Sequence, residues 1–264
     1  MEKILYHQVI SWDREKSTSM NRKLIGEEPL SIRLQGEAYS VVLRTPGDEI
    51  PHVAGFCLAE GIVDDPDDFA SIGFCEDEDT NVVTVMLSAS RRDNIPDILE
   101  RRGFISQTSC GICGKEVVED LYQRIHPLTD NITVDIQRAF QCVEKLSDQQ
   151  PLRHMTRAAH AAVLYDKHFE ILSMAEDVGR HNALDKAIGK VFLSHRLPNA
   201  CLLVLSSRIS YELVQKAAKA RIPVILAKSR PTSLAVELAT KFNITLATAE
   251  ESGLYIFCKP YRLV

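Results

Sequence analysis

Apolar positions recur along this chain with two rhythms, one suited to strands and one to helices. Residues 29–34 and 38–44 alternate apolar and polar side chains on either side of Gln35-Gly36-Glu37, which predicts a β-hairpin. Thr45-Pro46-Gly47-Asp48 reads as a turn, with Asp48 placed to cap a helix that carries Val53, Phe56, Cys57 and Leu58 and closes near Gly61. Strands are expected over 71–75 and 81–87, and a short helix over 96–102. The first 25 residues are too polar to assign, and 17–21 reads as a loop. Helical spacing resumes with Val117, Val118, Leu121, Tyr122 and Ile125 on one face, and again over 135–146 with Ile136, Phe140, Val143 and Leu146. Residues 148–151 break that pattern.

The second half is more regular. Residues 161–165 and 169–174 flank Asp166-Lys167-His168 as a hairpin, and a helix is expected over 178–192. Strand 201–205, helix 211–219, strand 223–227, helix 234–242 and strands 244–247 and 254–258 follow. Short apolar runs alternating with amphipathic helices predict an α/β fold, its sheet mixed but largely parallel and covered on both faces. The N-terminal part reads as α+β. We place an N-terminal unit over 1–115, a helical connection over 116–150 and a second unit over 151–264. Open sheets of this kind bind ligands at the carboxyl ends of their strands. Here that rim is predicted from 176–181, 206–210, 229–233 and 248–253.

Two strands followed by αβαβαβ is also the layout of the cytidine-deaminase-like fold, a three-layer α/β/α arrangement. Zinc deaminases place ligands at the first turns of the first two helices, as His-x-Glu and Pro-Cys-x-x-Cys. The corresponding stretches here are Gly179-Arg180-His181-Asn182-Ala183 and Ser207-Arg208-Ile209-Ser210-Tyr211. His181 remains and the cysteines do not, so neither deamination nor an intrinsic metal is expected.

Composition narrows the field. With 264 residues and a net charge of −5, the chain has no general attraction for nucleic-acid phosphates or anionic lipid. No apolar run approaches the ~18 residues of a membrane span, and residues 1–16 lack the apolar core of a secretion signal. Five of the seven cysteines (Cys57, Cys75, Cys142, Cys201 and Cys258) stand singly in apolar surroundings, as buried small side chains do in a reducing cytoplasm.

The other two cysteines carry the chemistry. Cys110-Gly111-Ile112-Cys113-Gly114-Lys115 is the one closely spaced pair, and it lies just before a helical pattern. Helix dipoles and Lys115 favour a thiolate there. A structural zinc site would need two further ligands, and only His126 follows nearby. A thioredoxin-like dithiol would follow the first strand of its fold with an aromatic residue before the first cysteine, a place Thr108-Ser109 takes here. A second constellation is Glu176-Asp177-Val178-Gly179-Arg180-His181. Asp177 can cap a helix and His181 can pair with Asp185 one turn on, or else Arg180 and His181 face an anion. Ser206-Ser207-Arg208 either caps a helix or offers two hydroxyls and a guanidinium fork to a phosphate or base. His160, just ahead of an apolar strand, suits a rim histidine or a catalytic one.

These stretches together make the chain similar to the FdhD/NarQ family, the formate dehydrogenase accessory sulfurtransferases. The resemblance is carried by Glu28-Pro29-Leu30, Gly55-Phe56-Cys57-Leu58-Ala59-Glu60-Gly61-Ile62, Ser109-Cys110-Gly111-Ile112-Cys113-Gly114, residues 176–186, and Ser206-Ser207-Arg208-Ile209-Ser210-Tyr211-Glu212. It implies a homodimeric sulfurtransferase with a cytidine-deaminase-like second unit. The implied task is to accept sulfur from a cysteine desulfurase as a persulfide on Cys110, with Cys113 as second thiol. The sulfur then passes to a molybdenum cofactor, bis-molybdopterin guanine dinucleotide, destined for formate dehydrogenase. Cofactor contacts are expected from Arg180, His181, Ser207 and Arg208 and from the loop Thr248-Ala249-Glu250-Glu251-Ser252-Gly253. That loop is acidic where the family has Gly-Phe and a basic residue, and Arg157-Ala158-Ala159 stands where the family often has glycines after Thr156.

Overall fold

The structure is a computed structural model that describes residues 2–74, 80–92, 125–251 and 253–264. The chain opens with an antiparallel ribbon, β1 (Ile4–Trp12) and β2 (Ser17–Ile25). Its turn is tied by the Asp13 carboxylate, which accepts from the amides of Glu15 and Lys16 at 3.2 and 3.0 Å. Residues 17–21 are therefore strand where a loop was expected. The ribbon leaves Tyr6, Ile10 and Trp12 at 71%, 76% and 67% exposure, so burial imposes little alternation on its sequence. The hairpin of β3 (Glu28–Leu34) and β4 (Glu37–Arg44) forms as expected, with Gln35 and Gly36 both left-handed at φ 54° and 86°. Two consecutive left-handed residues match the right-handed twist of the strands they join. With β5 (Phe69–Phe74) and β6 (Val82–Leu87) these strands make a sheet of order β4-β3-β6-β5. Helix α1 (Glu49–Ala59) packs beside it, and a short turn α2 (Ala89–Arg92) follows β6. Asp48 stands at the α1 N-cap but does not cap it; its carboxylate reaches Lys190 at 2.8 Å. The acidic stretch 64–68 is a surface turn in which Asp65 and Asp68 cap each other's backbone and Asp68 meets Arg91 at 3.2 Å.

The second sheet runs β12-β11-β10-β9-β7-β8. Its elements are β7 (His160–Tyr165), β8 (Ile171–Asp177), β9 (Leu202–Leu205), β10 (Val224–Ala227), β11 (Thr245–Glu250) and β12 (Gly253–Cys258). β9, β10 and β11 pair in parallel and β8 runs in the same direction; β7 opposes both its neighbours and β12 opposes β11. The sheet is thus mixed, less parallel than the run of β-branched segments suggests, because hairpins close both of its ends. Helices α5 (Arg180–Leu193), α6 (Tyr211–Lys219) and α7 (Ser233–Lys241) cover one face, against Leu164, Leu203, Leu205, Ile225 and Leu246. The other face packs on α3 (Ile136–Lys145) through Ala139, Cys142 and Val143. Asp135 caps α3, accepting from the Arg138 amide at 2.8 Å, and α4 (Pro151–Thr156) follows. Part of the expected helical connection is therefore a structural layer of the sheet. Among the described residues no helix is long and apolar enough to cross a membrane. The helices expected over 96–102 and from residue 117, and the cysteine loop, lie outside the described residues, although Ile125 is buried.

One core joins the two halves: Leu30, Ile32 and Val53 belong to the same buried cluster as Leu184, Leu213 and Leu246. Its tightest point is the crossing of α1 and α5, where Gly55 and Gly189 replace side chains with backbone contact. A Cβ at Gly189 would lie 1.8 Å from the Pro51 carbonyl oxygen, and one at Gly55 would lie 2.0 Å from that of Asp185. Gly189→Ala must force the helices apart, so we expect a loss of about 3 kcal/mol or more, at the upper end of overpacking costs. Urea unfolding measures it, and a loss within experimental error would show that the crossing yields freely.

Beside this crossing, the Lys216 ammonium meets both carboxylate oxygens of buried Asp185 at 2.8 and 2.9 Å. Glu60, at the C-cap of α1, is partly buried nearby, and burial pushes its carboxyl up to about 7 against the pull of Lys216. A carboxyl whose folded pKa is raised binds its proton more tightly when folded. Its contribution is therefore present at low pH and lost as pH climbs through the folded value. Glu60→Gln should gain stability relative to the native chain as pH rises from about 5 to about 8. Parallel urea curves across that range test this, and a constant difference would remove Glu60 as a titrating group.

Candidate active site

The rim at the carboxyl ends of the strands begins where β8 runs into α5. Asp177 is fully buried there and spends both oxygens on fixing the junction. Oδ1 accepts from the Gly179 amide at 2.8 Å and the Asn182 side-chain amide at 3.0 Å. Oδ2 accepts from the Thr45 amide at 3.0 Å and from Lys186 Nζ at 2.7 Å. Lys186, itself buried, also donates to the Thr45 carbonyl at 2.6 Å. Asn182 donates to the Leu43 carbonyl at 2.7 Å. The N-terminal sheet thereby holds the first turn of α5 in place. Glu176 works outward, its two oxygens accepting from the Leu152 and Arg153 amides at the start of α4 at 2.8 and 2.9 Å.

This scaffold gathers side chains from two further elements, α6 and β7. His181 Nε2 lies 2.7 Å from Glu212 Oε2 in the first turn of α6, and Ser210 Oγ donates to the same oxygen at 3.2 Å. The hydrogen bond from His181 holds the Glu212 carboxyl below its ordinary range. His160 opens β7 directly across from Asp177. Burial, then Arg180 and Arg153, push its imidazole pKa down, which keeps the ring neutral. His160 Nδ1 and Arg180 Nε are buried and have no hydrogen-bond partner among the described residues. Buried polar atoms without a partner are costly unless something binds them.

One sequence reading of His181 therefore needs correction. It does not pair with Asp185, which is buried against Lys216; its Nε2 is held by Glu212. Ser206 has a structural role: its hydroxyl accepts from the Ala161 amide at 2.8 Å. Ser207 is buried and its hydroxyl donates to the Arg208 carbonyl at 3.0 Å, while the Arg208 side chain is exposed. Glu212, Ser210 and the buried Lys186 are additions of the structure. Glu212 and Lys186 lie inside the stretches that carry the family resemblance, which was the available signal.

The stretch 248–253 sits elsewhere on the rim. Thr248, Ala249 and Glu250 are strand residues of β11, not loop; Gly253 starts β12 at φ 136°, and Ser252 lies outside the described residues. Glu250 pairs with Arg230 at 2.8 Å, and the buried Thr248 hydroxyl has no partner among the described residues. The strand order puts β11 four spacings from β8, about 19 Å at ordinary strand separation. Ala249, Glu250 and Glu251 line an open groove of about 740 Å³ with Lys228 and with Phe140, Val143 and Glu144 of α3. Because α3 covers the face opposite α5 and α6, this groove and the Arg180–His181 cluster are two places on one rim. Asp65, Asp67 and His195 form the one described group spaced to hold a metal, and all three are exposed.

Cys110 and Cys113 lie outside the described residues. The described cysteines are unsuited to thiolate chemistry. Burial pushes the thiol of Cys201 up to about 12, and raises those of Cys57, Cys142 and Cys258.

The chain matches the FdhD/NarQ family over residues 25–264. It is 39% identical over 250 residues to a protein of Mycolicibacterium paratuberculosis named sulfur carrier protein FdhD, covering 91% of each chain. The protein of that name from Mycobacterium tuberculosis is 40% identical over 232 residues, covering 83% of each. A crystal structure from Desulfotalea psychrophila, described as that of a candidate formate dehydrogenase accessory protein, superposes over 100% of both chains with a TM-score of 0.79 at 21% identity, a shared fold.

Proposed function

The chain belongs to the FdhD/NarQ family, and from that premise we propose that it is a sulfur carrier serving formate dehydrogenase, with Cys110 as the carrying atom. The observation that bears most of this reading is the fate of the other thiols. Burial raises the thiol pKa of all four described cysteines; of the three outside the described residues, Cys75 stands singly in an apolar run, and Cys110 and Cys113 lie in the thiolate-favouring Cys110-Gly111-Ile112-Cys113-Gly114-Lys115 stretch. In the first step the Cys110 thiolate attacks the terminal sulfur of a persulfide on a cysteine desulfurase. The old S–S bond breaks, the desulfurase thiolate leaves, and Cys110 now holds the persulfide. In the second, Cys113 attacks Cys110, forming a disulfide and releasing the outer sulfur as sulfide to its acceptor. The dithiol is oxidised by two electrons and the transferred sulfur reduced by two.

The acceptor in this reading is a molybdenum cofactor, bis-molybdopterin guanine dinucleotide, which is cargo and not a resident group. Arg180, His181, Ser207 and Arg208 would hold one part of it, and Thr248 to Gly253 another along the α3 groove. The separation of the two places suits a long ligand with two nucleotide arms. The hairpin β7–β8 followed by αβαβαβ agrees with a cytidine-deaminase-like unit. The protein would act as a homodimer in the cytoplasm, with cysteine desulfurase and formate dehydrogenase as partners and no metal of its own.

The test is to incubate the protein with a cysteine desulfurase and sulfur-labelled cysteine, then map the modified residue by mass spectrometry. Label on Cys110 is expected. Full labelling at another cysteine, or none, would overturn the assignment.

A further inference from the structure

His52 is fully buried in the first turn of α1, beside the crossing with α5, and sulfur transfer gives it no part. Neither of its ring nitrogens has a hydrogen-bond partner among the described residues. Its surroundings are cationic: Lys186 bears on the ring from α5, Lys216 from α6 and Arg44 from the end of β4. The acids of this seam are engaged elsewhere. Asp177 meets Lys186, Asp185 meets Lys216, and Glu49 and Glu28 meet Arg44 at 3.1 and 3.6 Å. Asp48 holds Lys190, and burial pushes the Glu60 carboxyl up to about 7. The Asn182 side chain reaches toward the ring from α5 without closing a hydrogen bond, its nitrogen donating to the Leu43 carbonyl and to Asp177. A proton on His52 would therefore add a fourth positive charge to this seam with no acid to offset it. Burial, then Lys186, Lys216 and Arg44, hold the imidazole well below its ordinary range, so the folded ring is neutral.

We propose that His52 is an acid-sensitive catch on the seam between α1 and α5, and that its protonation frees the first turn of α5. While the ring is neutral, Lys186 stays on Asp177 and the Thr45 carbonyl, and Asp177 holds the Thr45 and Gly179 amides. The proton enters when α1 and α5 part and water reaches the ring. Once there it repels Lys186 and Arg44 and opposes closure, so Arg180 and His181 lose their mounting. An opened chain takes up this proton as pH falls below about 6.5, and the closed chain does not. Closure is thus at full strength above that pH and weakens about tenfold for each unit below it. Glu60 works in the opposite sense, because the folded chain holds its proton more tightly.

The full chain and its His52→Gln variant test this together. Proton–nitrogen spectra of the native chain should show a neutral His52 ring at about pH 5.5, where an exposed imidazole is charged. Between about pH 7.5 and 5.5 the unfolding constant of the native chain should rise about tenfold relative to that of His52→Gln. Urea curves at each pH measure the ratio, and Glu60 drops out of it because both proteins carry that residue. Hydrogen exchange at the Thr45 and Gly179 amides should lose protection by the same factor in the native chain and keep it in the variant. A His52 ring that titrates near pH 6.5 in the folded chain, a ratio that stays constant, or equal protection in the two proteins would each overturn the proposal. Should His52→Gln fail to fold, the spectra and exchange profile of the native chain carry the test. A charged ring at about pH 5.5, or Thr45 and Gly179 amides as protected there as at pH 7.5, would then overturn it.

Discussion

Cells that depend on a Cys110→Ala form of this chain are expected to lose formate dehydrogenase activity by more than about a hundredfold, the scale on which removing a covalent nucleophile acts. Rescue by any of the four described thiols is not expected. Cys57 and Cys201 are sealed in the core, and burial keeps the thiols of Cys142 and Cys258 protonated as well. Cofactor binding by the variant should be unchanged, because the rim cluster is built from α5, α6 and β7. Cys113→Ala should still acquire sulfur and fail to release it. Activity assays in a strain lacking its own copy, paired with cofactor-binding measurements, separate the possibilities. A protein that merely shelters the cofactor would keep both activity and binding after Cys110→Ala. A dithiol oxidoreductase would reduce insulin disulfides and carry no sulfur.

Asp177→Ala should be the most damaging change to the folded state. It strands the Lys186 ammonium, which is 1% exposed and has the Thr45 carbonyl as its other polar contact. Burial already presses the Lys186 pKa down against the opposing pull of Asp177, so removing the carboxylate leaves only the penalty. Breaking a buried pair from one side costs about 3–5 kcal/mol. The Gly179 and Thr45 amides lose their acceptor at the same time, so the first turn of α5 should loosen with Arg180 and His181 on it. The double variant Asp177→Ala, Lys186→Met should recover part of the loss, because no charge is then left unpaired. Chemical unfolding of the three proteins tests this. A single-variant loss under about 1 kcal/mol would mean that water reaches Lys186 and the pin is not one.

What could be read in the residues follows from how local the physics is. Strands β9, β10 and β11 are short apolar runs buried on both faces, and helices α6 and α7 carry their periodicity openly, so pattern alone places them. Gln35-Gly36 marks its turn because two left-handed residues are needed in succession. The N-terminal ribbon was illegible because its side chains face solvent on both sides. The rim was placed correctly as a region, yet its wiring joins residues far apart in the chain. Lys186 looks like any lysine on a helix until Asp177 and Thr45 close over it, and Glu212 like an acid at a helix N-terminus until His181 arrives from α5. Nothing local says that 248–250 continue a strand and line a groove on the opposite face of the sheet from Arg180. That depends on strand order, which composition does not encode.

The central claim is that one thiol hands on an atom. The most direct measurement loads the protein with labelled sulfur, removes the desulfurase, and adds molybdenum cofactor with formate dehydrogenase lacking active cofactor. The account predicts that label leaves Cys110 and appears in the enzyme in step with its activity. Activity that rises while the label stays on the carrier, or that arises equally from unloaded protein, would contradict it.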